Sequence, residues 1–462
     1  MYSRCNLRYK MIEYATCDDD GAIPGKAIGK TKERNGAQIM ADIIQTFGKA
    51  IGRLAADSPA RSRQLLVTGL KAFRGVLRYA PDKRLPPSRQ YSAVALNRVM
   101  CHVLDHAETS ALVSVFQPCE LLEAMEITPM CAEMLSAYIN GSQAEAIFAD
   151  AAENEGIAET YCSYHRVLLG TAYLNVLPKP AMVVNTSLVC DANHLTFREL
   201  AARYNVPHYY VDVPPEQSEE SVAYVADQFR DLAGFMQEHL GRRLEKQKLR
   251  ETMVRSKRTV ESLRACLSEK KAHSLSGDVT SEMYEIYLSH NGLGSPAAEQ
   301  YADTLLRDLR AAPPARGIRL LWLHTIPVWQ TPVKELFDLN DRCQIVTCDM
   351  CTESLTDVDP DLPYESMARR LVYSPWNGGQ KRVGAALALA DELQVDGVIC
   401  FCHWGCKQTM GLSALFKSEL EKAGFPTLIL NGDGCDRRNS SDGQTATRLN
   451  AFLEMLEGLR YG

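Results

Sequence analysis

The chain has 462 residues, 46% of them hydrophobic, with 51 basic against 57 acidic side chains and a formal charge of −6. That is the composition of an ordinary globular core, long enough for about three domains at ~150 residues each, and it excludes a disordered or fibrous protein. The small, evenly mixed charge gives no overall pull toward nucleic acid or an anionic membrane surface. Met1 to Asp20 mix Arg4, Arg8 and Lys10 with Glu13 and three consecutive aspartates, without the apolar run of a secretory signal. No later run approaches the ~20 apolar residues of a membrane span. The expectation is a cytoplasmic protein in which the 15 cysteines stay thiols and act as buried small hydrophobes, metal ligands or catalytic groups.

From Thr31 to about Tyr91 the pattern is helical, with Ile39, Ile43, Ile44 and Phe47 at helix spacing, and Pro86-Pro87 breaks it. Ala111 to Phe116 reads as a strand, and Pro118-Cys119-Glu120 opens a helix beyond it. Met182 to Leu188, ending in Cys190-Asp191, is a second strand, and Pro207 to Val213 a third, with a helix from Leu195 to Tyr204 between them. Strand, helix and strand in that order predict a parallel sheet. From Glu216 to about Arg310 strand signals are few, and Ser221 to Leu267 reads as one or two long amphipathic helices. After Pro313-Pro314 strands are predicted near Arg319 to His324, Gln344 to Cys348, Gly397 to Phe401 and Thr427 to Leu430. Helices are predicted at Val333 to Phe337, Lys381 to Leu393, Leu412 to Ala423 and Ala446 to Leu456. The expected fold is α/β, with two Rossmann-like, doubly wound parallel sheets and additional helical regions. The expected segments are a helical N-terminal region (1–105), a first Rossmann-like domain (106–215), a helical interdomain layer (216–312) and a second Rossmann-like domain (313–462). The two α/β regions look alike in plan, without a clear internal sequence repeat.

Open α/β sheets build their sites where strands end. Cys162, Cys190, Cys406 and Cys435 stand at predicted strand ends or helix starts, where helix N-termini favour thiolate. Several thiols gathered from turns suit a metal or cluster better than a structural disulfide, although any one cysteine taken alone is ordinarily a core residue. Cys348-Asp349-Met350-Cys351 is a lone C-x-x-C, weak support for zinc. His403 reads equally as an acid, base or ligand and as a hydrogen-bonded strand-end histidine. Lys407 and Arg166 could hold phosphate groups, with solvated surface charge the simpler reading. Asp433 and Asp436 read as caps of the last helix or as groups orienting their neighbours. No Walker sequence or well-placed G-x-G-x-x-G appears.

The run His403-Trp404-Gly405-Cys406-Lys407-Gln408, then Gly432-Asp433-Gly434-Cys435-Asp436-Arg437-Arg438-Asn439, then Gly443-Gln444 with Thr447-Arg448 and Ala451-Phe452-Leu453-Glu454, resembles the C-terminal signature of the 2-hydroxyacyl-CoA dehydratase D-component family. That family also contains benzoyl-CoA reductase subunits and double-cubane cluster proteins. Pro118-Cys119-Glu120, Cys162-Ser163 with Arg166 and Gly170, Cys190-Asp191, Val206-Pro207 with Asp212 and Pro214, and Ile326-Pro327 extend the similarity to roughly residues 110–462.

The resemblance implies an oxygen-sensitive 4Fe-4S cluster between two Rossmann-like domains, held by Cys162, Cys190 and Cys406, with one iron position open. It implies a lyase acting on an acyl-CoA substrate by radical chemistry under anaerobic conditions. An ATP-dependent iron-sulfur activator protein would inject one electron, and the thioester would expel its hydroxyl group through a ketyl radical. Ser163 and His403 would stand beside the cluster ligands, and Trp404 would cover the cluster from solvent. A homodimer, or a heterodimer with a related subunit, is the expected assembly. Cys402, Cys435, Cys348 and Cys351 exceed three ligands. They are either core thiols or ligands of additional iron, as in the double-cubane branch, which reduces small molecules. A non-catalytic cluster-bearing or scaffold subunit is the remaining alternative.

Overall fold

The structure is a computed structural model that describes residues 36–461. The expectations for Met1 to Asp20, and for the start of the helical pattern at Thr31, lie outside the described residues. The described residues begin with three helices, α1 (Gly36–Asp57), α2 (Pro59–Tyr79) and α3 (Pro87–Asp105). Pro59 and Pro87 each take the first helical position, where the missing N–H has no partner to lose and the fixed φ suits a helix. The Pro86-Pro87 break is thus the start of α3.

The first sheet follows: β1 (Ser110–Val113), α4 (Glu120–Ala124), β2 (Thr128–Cys131), α5 (Ala132–Gly141), α6 (Glu145–Asn154), α7 (Ser163–Tyr173), β3 (Met182–Thr186), α8 (Asp191–Tyr204) and β4 (His208–Val211). All its strands are parallel, in the order β2-β1-β3-β4. The sequence reading passed over β2, a four-residue strand containing Pro129. Proline cannot donate to a ladder and is tolerated at a sheet edge, which is where β2 lies. The strand predicted to run to Phe116 ends at Val113, and the residues after it form a turn in which the Gln117 N–H donates to the Ser114 carbonyl at 3.1 Å.

Four helices fill the middle of the chain: α9 (Glu219–Leu240), α10 (Lys246–Ala272), α11 (Val279–Ser289) and α12 (Pro296–Ala311). Ser218, Asp278 and Ser295 cap three of them, each side chain accepting the N–H of the residue three positions on. The second sheet comprises β5 (Ile318–Leu323), α13 (Thr331–Phe337), β6 (Cys343–Cys348), α14 (Pro363–Val372), α15 (Gly379–Leu393), β7 (Gly397–His403), α16 (Lys407–Lys422), β8 (Thr427–Gly432) and α17 (Asp442–Tyr461). It is again all parallel, ordered β6-β5-β7-β8. Both sheets therefore run second, first, third, fourth strand, a shared plan without a visible repeat in sequence. α16 starts at Lys407, five residues before the predicted Leu412, so Cys406 stands at its N-cap.

Central strands β1, β3, β5 and β7 are buried along their whole length, whereas β4 and β8 at the edges are partly exposed. Covering both faces of a parallel sheet with helices has this consequence. One apolar core runs from Val113 and Val184 of the first sheet through Phe229, Leu263 and Tyr301 of the middle helices to Trp322 and Phe401 of the second. Among the described residues no helix is long and apolar enough to cross a membrane.

Candidate functional site

The carboxyl ends of β3 and β7 are built alike. After β3 the chain turns through Val189, whose φ is +73°, and the Cys190 N–H closes on the Leu188 carbonyl at 3.0 Å. After β7 it turns through Gly405, φ +83°, and the Cys406 N–H closes on the His403 carbonyl at 3.0 Å. Cys190 is then the N-cap of α8 and Cys406 the N-cap of α16. Cys162 stands in the same position at the head of α7. Each thiol thus sits at the positive end of a helix of 11 to 16 residues, where anionic charge is favoured.

The loops meet. A Cβ on Gly405 would stand 2.8 Å from the Cys162 nitrogen and 2.9 Å from its Cα, so only glycine lets the β7 turn lie on the start of α7. Gly170, further along α7, does the same against α6, where a Cβ would fall 1.7 Å from the Phe148 carbonyl oxygen. Burial pushes the Cys162 thiol well above its ordinary range, and the neighbouring sulfurs of Cys190 and Cys406 push it further. Cys190 is raised by burial, then by Cys406 and Glu133. The three sulfurs lie within one another's electrostatic reach. Among the described residues, however, no three His, Cys, Asp or Glu side chains are gathered as ligands of a metal ion.

His403 faces Cys162, fully buried, and burial keeps its imidazole neutral against the pull of Asp433. Its Nδ1 accepts the Gly434 N–H at 3.0 Å, so the ring proton belongs on Nε2, 3.4 Å from the Cys162 sulfur. Ser163 Oγ donates to Asp433 Oδ1 at 2.5 Å. Asp433 does not cap the last helix as expected. Its Oδ1 also accepts the N–H groups of Cys435 and Asp436, and its Oδ2 the Asn439 side-chain amide, shaping the turn after β8. Asp436 caps a short 3-10 turn, Arg437–Asn439, while α17 starts only at Asp442.

Arg166 is neither a surface charge nor a phosphate holder. It is 1% exposed, paired with Asp436 at 2.6 Å and Glu153 at 3.2 Å, and it ties α7 to the turn after β8. Lys407 is 83% exposed, 4.0 Å from Asp191. Trp404 is on the rim, 44% exposed. The surplus thiols are buried, three of them facing backbone carbonyls: Cys348 to His324 at 2.9 Å, Cys351 to Glu282 at 3.6 Å and Cys435 to Ser136 at 3.5 Å. Cys402 shares a face of β7 with Cys400, whose thiol brings it down to about 7.

Sequence reasoning missed Glu133, in the first turn of α5. Its Oε2 accepts the Val115 N–H at 3.1 Å and faces the Cys131 thiol at 3.5 Å. Its Oε1 is 3.7 Å from His165 Nε2, which in turn is 3.8 Å from the Cys190 sulfur. Burial raises the Glu133 carboxyl to about 7. A ladder of rings was also missed. Phe116 contacts Trp376 at 5.3 Å between centroids, Trp376 contacts His324 at 6.3 Å, and His324 stacks on His403 at 5.8 Å. It links the carboxyl end of β1 to those of β5 and β7.

Two parallel sheets of one strand order, each with a cysteine at the start of the helix that follows its third strand, define a protein of paired Rossmann-like units. The profile of the family described as 2-hydroxyglutaryl-CoA dehydratase, D-component, matches residues 114–456, and the chain belongs to that family. It is accordingly a dehydratase-like enzyme, of the lyase class. Lactoyl-CoA dehydratase subunit alpha of Anaerotignum propionicum is 26% identical over 74% of this chain and 89% of its own length. The (R)-2-hydroxyglutaryl-CoA dehydratase, subunit alpha, of Acidaminococcus fermentans is 22% identical over 61% of each chain. The (R)-phenyllactyl-CoA dehydratase alpha subunit of Clostridium sporogenes is 22% identical over 66% of this chain and 79% of its own.

Proposed function

We propose that the chain is the iron-sulfur subunit of a 2-hydroxyacyl-CoA dehydratase. It would hold a 4Fe-4S cluster on Cys162, Cys190 and Cys406, take an electron from an ATP-dependent activator protein, and work with an identical or related subunit. The carrying observation is the meeting of these thiols from separate loops, each at a helix start. Burial and the neighbouring sulfurs hold Cys162 and Cys190 against ionisation, and cluster iron would supply the countercharge they need. Several thiols brought from separate turns suit an iron-sulfur group better than a structural disulfide. When bound, such a cluster supplies a low-potential electron and an iron position open to a substrate oxygen.

The chain's own residues do the rest. His403 donates its Nε2 proton to the Cys162 sulfur, and Ser163 with Asp433 fixes the turn on which Cys162 stands. Glu133, close to the Cys190 edge and poised near neutrality, takes the proton from the carbon next to the hydroxyl-bearing one. That proton and the departing hydroxyl leave together as water, and because dehydration is redox-neutral the electron would be returned for the next turnover. The three relatives carry names of 2-hydroxyacyl-CoA substrates that differ in the acyl chain, so the thioester and its 2-hydroxyl are the recognised features.

A panel of 2-hydroxyacyl-CoAs, incubated anaerobically with the protein, its sister subunit, an activator and ATP, tests this reading. Formation of the matching enoyl-CoA with about four irons per chain supports it. About eight irons, with reduction of small molecules in place of dehydration, would favour the double-cubane alternative, against which the surplus thiols facing backbone carbonyls already weigh. A reducible cluster without turnover on any thioester would leave a cluster-bearing scaffold.

A further inference from the structure

Arg382, in α15, is 1% exposed and has no part in the elimination described above. Buried guanidinium groups are costly unless nearly every N–H is matched, and this one is well matched. Nε and Nη2 donate to Asp349 Oδ2 at 3.2 and 2.9 Å. Nη1 donates to Thr409 Oγ1 at 2.8 Å and to Gln408 Oε1 at 3.2 Å. The guanidinium carbon lies 3.3 Å from the centre of the Trp376 ring, a cation resting on an aromatic face. The other oxygen of Asp349 accepts the His324 N–H at 2.7 Å, holding a residue whose φ is +79°.

Thr409 connects this cation to the site. It is wholly buried in the first turn of α16, and its Oγ1 stands 3.7 Å from the Cys406 sulfur. Because Oγ1 accepts from Arg382, its own hydrogen is free to point at a sulfur that has lost its proton to a metal. Asp349, Arg382, Thr409 and Cys406 thus form a line with its positive end toward the sulfur. Among the described residues no comparable hydrogen-bonded cation reaches Cys162 or Cys190, which face the rings of His403 and His165.

We propose that Arg382 is a positioning residue that, through Thr409, orients the Cys406 sulfur and raises the reduction potential of the group bound there. A positive charge and a donated hydrogen bond both favour the more negative, reduced state of a thiolate-bound cluster. The inference rests on the cluster reading above.

The test is an anaerobic redox titration followed by electron paramagnetic resonance, on reconstituted full-length protein and three variants. Thr409→Val removes the hydroxyl alone and should fold. It is expected to move the midpoint to a more negative potential, alter the g-values and release iron to a chelator roughly ten-fold faster. Arg382→Gln should move the midpoint further the same way, and Arg382→Lys, keeping the charge, should recover part of the shift. Unchanged midpoint and g-values in Thr409→Val, or an Arg382→Lys midpoint as low as that of Arg382→Gln, would overturn the assignment. Wild-type protein that takes up no iron would instead overturn the cluster reading itself.

Discussion

Cys190 and Cys406 occupy the same place in the two halves, after the third strand of sheets with one strand order, yet their turns are built by opposite means. The β3 turn uses Val189 in the left-handed region, a conformation that costs a β-branched residue roughly 1–2 kcal/mol. The side chain packs against the core, so burial offsets the strain within one half. The β7 turn uses Gly405, which has no side chain to anchor and none to collide, and its backbone lies on Cys162 of the other half. One loop is held from within and the other by contact across the site. Such a site forms only when both halves are in place.

Gly405→Val should break that comparison most completely. It puts a branched side chain at positive φ and drives a Cβ into the Cys162 backbone, so iron uptake on anaerobic reconstitution is expected to vanish while circular dichroism retains the α/β fold. Next in size is Glu133→Gln, on the Cys190 side. Losing a proton acceptor should slow enoyl-CoA formation ~100-fold or more with iron content unchanged. The sign of the pH effect follows from the raised carboxyl: protonated below about 7, it accepts a proton only above that value. Turnover of the parent protein should therefore rise with pH through about 7, and the variant should lose that rise.

Val189→Gly sharpens the contrast from the other side. Relief of strain and loss of packing oppose one another, and denaturant unfolding should show a change of no more than about 1 kcal/mol. An equal and complete loss of iron in this variant would mean that the two turns are not held differently. Lys407→Ala should do least. Its 4.0 Å link to Asp191 joins the two equivalent helix starts, but both partners are mostly exposed, and exposed pairs contribute little; the melting temperature should not move measurably.

The sequence showed the buried central strands, because β3, β5 and β7 are short apolar runs ending in polar turns, and it showed the thiols at their ends. The edge strand β2 was invisible because Pro129 interrupts a four-residue run, and with it went Glu133, whose meaning depends on following a strand end. Arg166 looked like a free cation because its partner Asp436 is 270 positions away. The line from Asp349 through Arg382 to Thr409 was hidden for the same reason: three elements contribute one residue each, and only packing brings them together. Local pattern reports strands and turns. The buried ion pairs that aim the thiols are long-range and leave no local mark.

The most direct test is iron and sulfide content with electron paramagnetic resonance on protein reconstituted without oxygen, compared with Cys162→Ala, Cys190→Ala and Cys406→Ala. About four irons per chain in the parent, and loss of the cluster signal in each of the three variants, is the predicted result. Full iron and an unchanged signal in any one of them would contradict a cluster shared by thiols from both halves.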